Sequence, residues 1–166
     1  MSDNSATSPK PTFFVNLPAA SLSAATAFYT AIGLTPITAW SDPSSTAFLL
    51  PAPNDSVCLM LHAHPRFKQF MRPDASVVDA HTSTEALFSI AHDSKDAVDD
   101  WLAKVEGAGG KKDPYVLDGF GEGMGMYTRS WADLDGHVWE GFFMTGPCGV
   151  PDAPAAAEGE GEKKEA

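Results

Sequence analysis

Basic residues are scarce in this 166-residue chain: 11 Lys and Arg stand against 22 Asp and Glu, for a formal net charge of −11. That balance excludes a nucleic-acid footprint, which needs Lys and Arg clustered against phosphates. Cysteine is almost missing. Cys58 and Cys148 cannot build a disulfide scaffold. Cys58 lies in an apolar run and reads as a small core or cavity residue, whereas Cys148 lies in a Gly/Pro stretch and reads as free. Both fit a reducing compartment. No apolar run approaches the ~20 residues that span a bilayer. The first dozen residues lack a basic stretch followed by an apolar one, so no secretory signal is expected. These absences point to a cytoplasmic protein with neither a membrane nor a nucleic-acid partner.

What the chain does have is a repeat. Hydrophobic residues make up 43% of it, enough for a real core. From Phe13 to Leu61 the pattern reads strand, helix, three strands, and from Ala86 to Met144 it reads the same again. In the first copy Thr12 to Leu17 is a β-prone run stopped by Pro18, and Ser21 is placed to cap a helix over Leu22 to Ile32, ended by Gly33. Leu22, Ala25, Phe28, Tyr29 and Ile32 recur at helical spacing. Strands are expected near Thr35 to Trp40, Thr46 to Leu50 and Val57 to Ala63. In the second copy Asp93 or Ser94 caps a helix whose Val98, Trp101, Leu102 and Val105 form the buried stripe. Lys112 to Leu117 is then expected as a strand, followed by a hairpin of Met126 to Trp131 and Val138 to Met144. The domain organisation is thus a disordered tail over 1–11, one domain over 12–145 and a disordered acidic tail over 146–166. The domain divides into module one (12–63), a linker (64–83, with a short helix near Arg66 to Met71) and module two (84–145).

Asp118 to Gly125 contains four glycines. It does not match a phosphate-cradling loop, because no Lys-Ser/Thr follows and it leads into a strand. Two readings stay open: a lid over a pocket and a plain connection. Nothing in the chain spells a nucleophile elbow, a Cys/His pair in a recognisable motif or a zinc ribbon.

Asn16-Leu17-Pro18 before Ser21-Leu22, then Ala27-Phe28-Tyr29 and Ile32-Gly33-Leu34, resembles the opening of the vicinal oxygen chelate superfamily, which includes glyoxalases, extradiol dioxygenases and bleomycin-resistance proteins. The closing run Asp133-Leu134-Asp135-Gly136-His137-Val138-Trp139-Glu140 is similar to its final hairpin. The resemblance implies an α+β fold of two tandem βαβββ modules forming a curved mixed sheet around a cleft. It also implies a homodimer, since members often pair. Metal-dependent members carry one ligand on each of four strands, usually His, Gln or Glu. Those positions fall here on Phe14, Met60, Leu87 and Glu140, so one ligand of four survives.

Alternate residues of a strand share a face. If Met60 and Glu140 face the cleft, so do Cys58, His62, Val138 and Phe142. Phe14 and Asn16 share the first-strand face, and Leu87, Ser89 and Ala91 the fifth. The expected ligand-binding set is Phe14, Asn16, Cys58, Met60, His62, Leu87, Ser89, Val138 and Phe142, a largely apolar lining with few polar groups. Glu140 is the candidate catalytic residue, a general acid or base among apolar neighbours. The competing reading is a structural carboxylate bonded to a neighbouring strand or paired with Arg129. His62 and His64 have a metal-compatible spacing, with a cleft-edge and a turn histidine as the plainer reading. His81, His92 and His137 read as solvent or turn residues, and the tryptophans as core or interface.

The expected function is binding of a small, largely apolar or aromatic molecule in the inter-module cleft, with the usual metal site degenerate. No cofactor is expected; a divalent metal is open only to a noncanonical site using His62 and Glu140. Two alternatives stand beside it: a metal-dependent glyoxalase-like lyase with a rearranged ligand set, and a vestigial cleft with a role in assembly.

Overall fold

The computed structural model describes residues 11–146. The expected tails, 1–11 and 146–166, lie almost wholly outside the described residues, as does Cys148. The repeat is real in three dimensions. Module one runs β1 (Phe13–Ala19), α1 (Leu22–Ile32), β2 (Thr35–Pro36), β3 (Ser45–Leu49) and β4 (Val57–Ala63). A short helix α2 (His64–Phe67) opens the linker. Module two runs β5 (Leu87–Ala91), α3 (Lys95–Gly107), β6 (Lys111–Lys112), β7 (Met126–Ala132) and β8 (Val138–Met144). The strands form two four-stranded sheets, ordered β1-β4-β3-β2 and β5-β8-β7-β6. In each, the first strand pairs parallel with the last and the other pairs are antiparallel. Each expected βαβββ module thus forms its own mixed sheet, and among the described residues no strand ladder joins the two.

Both long helices form for the reasons legible in the sequence. Ser21 accepts from the Ala24 amide at 3.3 Å and Ser94 from the Ala97 amide at 3.0 Å, each satisfying a first-turn N–H. Gly33 ends α1 at φ 118°, a left-handed conformation that favours glycine. Ala25, Phe28, Tyr29 and Ile32 of α1 and Val98, Trp101, Leu102 and Val105 of α3 are buried.

Three boundaries moved. β1 continues through Pro18 because it is an edge strand, where a missing N–H breaks no ladder. After Pro36 the strand expected to reach Trp40 turns into a 3₁₀ segment, Thr38–Trp40, closed by the Ser41 hydroxyl on the Ile37 carbonyl. The strand expected over Lys112 to Leu117 stops at Lys112, because Asp113 takes a left-handed φ of 48° and Pro114 follows.

The modules share one core. Trp131 of β7 stacks on Trp139 of β8, centroids 5.2 Å apart and planes within 9°. It also meets Phe28 of α1 at 6.3 Å and Trp101 of α3 at 6.4 Å. Two mirrored clamps bind the modules at their edges. Asn54, in the loop before β4, grips the end of β5: its Nδ2 donates to the Ala91 carbonyl and its Oδ1 accepts from the Ala91 amide, both at 2.9 Å. Asp135, in the loop before β8, accepts from the Ala20 amide just past β1 at 2.8 Å. His137 adds a 2.9 Å bond from Nε2 to the Pro18 carbonyl, so it is a junction residue and not a solvent one. His92 is likewise half-buried, 5.2 Å from the Trp101 ring, because it packs where Gly141 leaves room.

Candidate functional site

Strand alternation places the expected residues, and the linker divides them. Phe14, Asn16, Met60 and His62 lie together on one face of module one, with Asn16 opposite Met60 in the ladder. They line a cup of about 420 Å³ with Trp40, Ser45, Arg66 and Phe70. Phe14 and Trp40 rings approach to 5.9 Å, and Phe70 meets the His62 ring edge-on at 5.1 Å.

His62 is the polar centre of this cup. Its Nε2 lies 3.0 Å from the Asn16 amide oxygen and its Nδ1 2.8 Å from the Ser45 hydroxyl. An amide oxygen only accepts, so Nε2 carries the proton and Nδ1 accepts from Ser45. Burial holds the His62 pKa below its usual value, with the Arg66 charge adding to the effect. The imidazole is neutral and saturated. His64, two residues on, starts α2 with its side chain exposed.

Cys58 shares the strand face but is fully buried, so it does not line the cup; burial pushes its thiol pKa up. Leu87 is exposed and Phe142 half-buried, and neither borders the cup or the two cavities described next.

Glu140 faces a separate, smaller cavity of about 210 Å³ in module two, beside Tyr115, Thr128 and Ser130. Ser89 Oγ donates to Oε2 at 2.8 Å and the Tyr115 hydroxyl to Oε1 at 2.5 Å. Burial, then the Glu140 carboxylate, raises the Tyr115 pKa and keeps that phenol protonated as the donor. Arg129 is not the partner of Glu140. It reaches Asp99 at 2.7 Å and also pairs with Asp113, because on β7 it points to the helix side while Glu140 points to the other. Substituting either Tyr115 by Phe or Glu140 by Gln should each lower stability by about 1 kcal/mol, with the double variant losing less than the sum. Urea unfolding of the three proteins measures this, and strict additivity would show that the short contact contributes nothing.

A further cavity, about 550 Å³, lies between the modules. Asn16 and Pro18 of β1 bound one side, Phe88 of β5 and Val138 of β8 the other, and linker residues including Phe70, Met71 and Val77 complete the wall. It adjoins the cup, since Asn16 and Phe70 border both. The linker is seated closely: a Cβ on Gly136, at φ 89°, would lie 2.6 Å from the His81 amide nitrogen. The glycine loop over Asp118 to Gly125 borders neither the cup nor this cavity. Sequence reasoning missed Trp40, Ser45, Arg66 and Tyr115. Only Tyr115 had a signal, the turn-forming Asp113-Pro114 before it.

A divalent ion needs several hard donors converging. The positions that the sequence resemblance implies for metal ligands hold Phe14, Met60, Leu87 and Glu140. Among the described residues no three His, Cys, Asp or Glu side chains come together. His62 and Glu140 open on different cavities. These residues do not make the donor set such an ion requires.

No family model matches the chain, and no curated protein matches it. Solved structures do. A glyoxalase/bleomycin resistance protein/dioxygenase family enzyme from Burkholderia phytofirmans PsJN aligns at a TM-score of 0.58 and 19% identity, over 79% of this chain and 96% of that one. Lactoylglutathione lyase from Agrobacterium tumefaciens aligns at 0.56 and 21% identity, over 81% and 94%. The genomically encoded fosfomycin resistance protein FosX from Listeria monocytogenes aligns at 0.53 and 18%, over 81% and 90%. Paired βαβββ modules, sharing a core and matching these structures across nearly their whole length, give this chain the fold of the vicinal oxygen chelate superfamily.

Proposed function

We propose that the protein binds a small, largely apolar or aromatic molecule between its modules, and that it does so without the metal ion used by metal-dependent members of the superfamily. The observation that carries this reading is the 550 Å³ cavity bounded by both modules and the linker. Its size suits a small ligand, and Phe70, Met71, Val77, Phe88 and Val138 give it an apolar wall. Phe14, Met60 and Leu87 at the positions that the sequence resemblance implies for metal ligands support the second half of the proposal. The lyase and fosfomycin-resistance activities belong to the neighbours; the polar residues at this cavity, Asn16, Arg72, Glu85 and His137 among them, do not specify either chemistry.

Neutral bicyclic aromatics such as 2-naphthamide should raise the melting temperature and bind in calorimetry. Val138→Arg, which puts a charge into the cavity wall, should weaken them at least tenfold, about 1.4 kcal/mol. Equal binding by wild type and variant would place the ligand elsewhere. Elemental analysis of protein purified without chelators should find well under one equivalent of Zn, Ni, Fe or Mn. A stoichiometric metal that survives dialysis would overturn the metal-free reading.

A further inference from the structure

We propose that the small molecule is an aromatic carboxylate that reaches from the inter-module cavity past Asn16 and Phe70 into the adjoining module-one cup, where its anionic group pairs with Arg66. The inference rests on the small-molecule reading above and names the ligand class. It comes from an imbalance at one side chain.

Arg66 borders the cup beside Phe14, Trp40 and Phe70. Its Nη1 donates to Gln69 Oε1 at 2.8 Å and its Cζ lies 5.1 Å from the centre of the Phe70 ring. Its Nε is buried with no hydrogen-bond partner. Among the described residues no carboxylate lies within ion-pair distance of it. In an acidic chain, a half-buried guanidinium left without an acid is a site for an anion, and its planar fork suits a carboxylate.

The cup supplies the rest of the recognition. Asn16 gives its oxygen to His62, and its amide NH₂ holds no hydrogen bond among the described residues, so a second donor borders the same space. His62 is neutral and already bonded on both ring nitrogens, so it neither competes for the anion nor adds charge. Phe14 is 46% exposed and Trp40 likewise 46%, an aromatic pair open to stacking by a further ring. Asp42 also borders the cup and its charge reaches Arg66, but it lies exposed and beyond ion-pair distance, and its Oδ1 already accepts from both the amide and hydroxyl of Ser44, so it does not occupy the guanidinium fork.

Two isosteric probes decide the matter: 2-naphthoate and the neutral 2-naphthamide. Binding is read by calorimetry and by fluorescence of Trp40, since Trp101, Trp131 and Trp139 are buried in the core. The acid should bind about tenfold or more tightly than the amide, and added salt should narrow the gap. Arg66→Gln should bring the acid to the level of the amide. Arg66→Lys, which keeps the charge without the fork, should recover part of the preference. Trp40→Phe should remove the fluorescence response while calorimetry still detects binding. If the amide binds as well as the acid, or the acid binds Arg66→Gln as well as wild type, this inference falls and the small-molecule reading stands. If neither probe binds, both fall.

Discussion

Trp131→Ala should destabilise the protein by about 3–5 kcal/mol and lower its melting temperature by roughly 10 °C or more. The ring is almost wholly buried and touches α1, α3 and β8 at once. Removing it opens a void in the core that both modules share, beside the stacked ring of Trp139. Total stability of such a domain is only about 5–15 kcal/mol, so the variant will stand near the edge of folding. Trp131→Phe should cost far less, about 1–2 kcal/mol. It keeps most of the buried area and removes an indole N–H that has no hydrogen-bond partner. Chemical denaturation measures both. A loss below about 1 kcal/mol for the alanine variant would mean that the modules fold and hold without this contact.

Asp133→Ala should cost about 2–4 kcal/mol. The buried carboxylate accepts the Tyr29 hydroxyl at 2.6 Å on one oxygen and the amides of Asp135 and His137, at 3.0 and 2.8 Å, on the other. Alanine leaves a fully buried phenol of α1 with no acceptor and loosens the turn that positions Asp135 and His137. The charge itself is a burden. Burial raises the Asp133 pKa, against the opposing effects of His137 and the Tyr29 hydrogen bond. A carboxyl whose folded pKa exceeds its unfolded value, near about 3.9, contributes most below that pH. Its contribution is lost as pH rises through the folded pKa. Asp133→Asn cannot ionise, so wild type should lose stability relative to it between about pH 4 and neutrality. Urea unfolding of the pair at several pH values reads the difference; a trend of opposite sign would show that the bonds to Tyr29 and the two amides outweigh burial.

How far the sequence reaches is clearest at particular residues. Ser21, Gly33 and Ser94 announce helix ends because capping is local chemistry, and the buried stripes follow from helical period alone. Strand alternation correctly put Phe14, Asn16, Met60 and His62 on one face. It could not say that Cys58, on that face, would be covered. Nor could it separate Val138 from Glu140: both point off one side of β8, yet one meets the inter-module cavity and the other the Tyr115 hydroxyl. That division depends on how the linker and the turn at Asp113 cross the sheets, which are long-range choices without a periodic signature. Arg66 escaped for the same reason. A lone arginine on a short helix carries no signal until its missing partner is visible in three dimensions.

The mirrored clamps have a further consequence. Each module offers a loop side chain, Asn54 or Asp135, and a strand end, Ala20 or Ala91, that only the other module satisfies. Cut apart, either half would carry both a hook and the eye that a hook fits. The two hooks are not interchangeable: Asn54 both donates to and accepts from its strand end, whereas the Asp135 carboxylate only accepts, so each hook suits the eye of the other module and the pair holds the halves in one arrangement. The linker that joins the halves was the one segment with no counterpart to mirror, free to become the wall of the cavity.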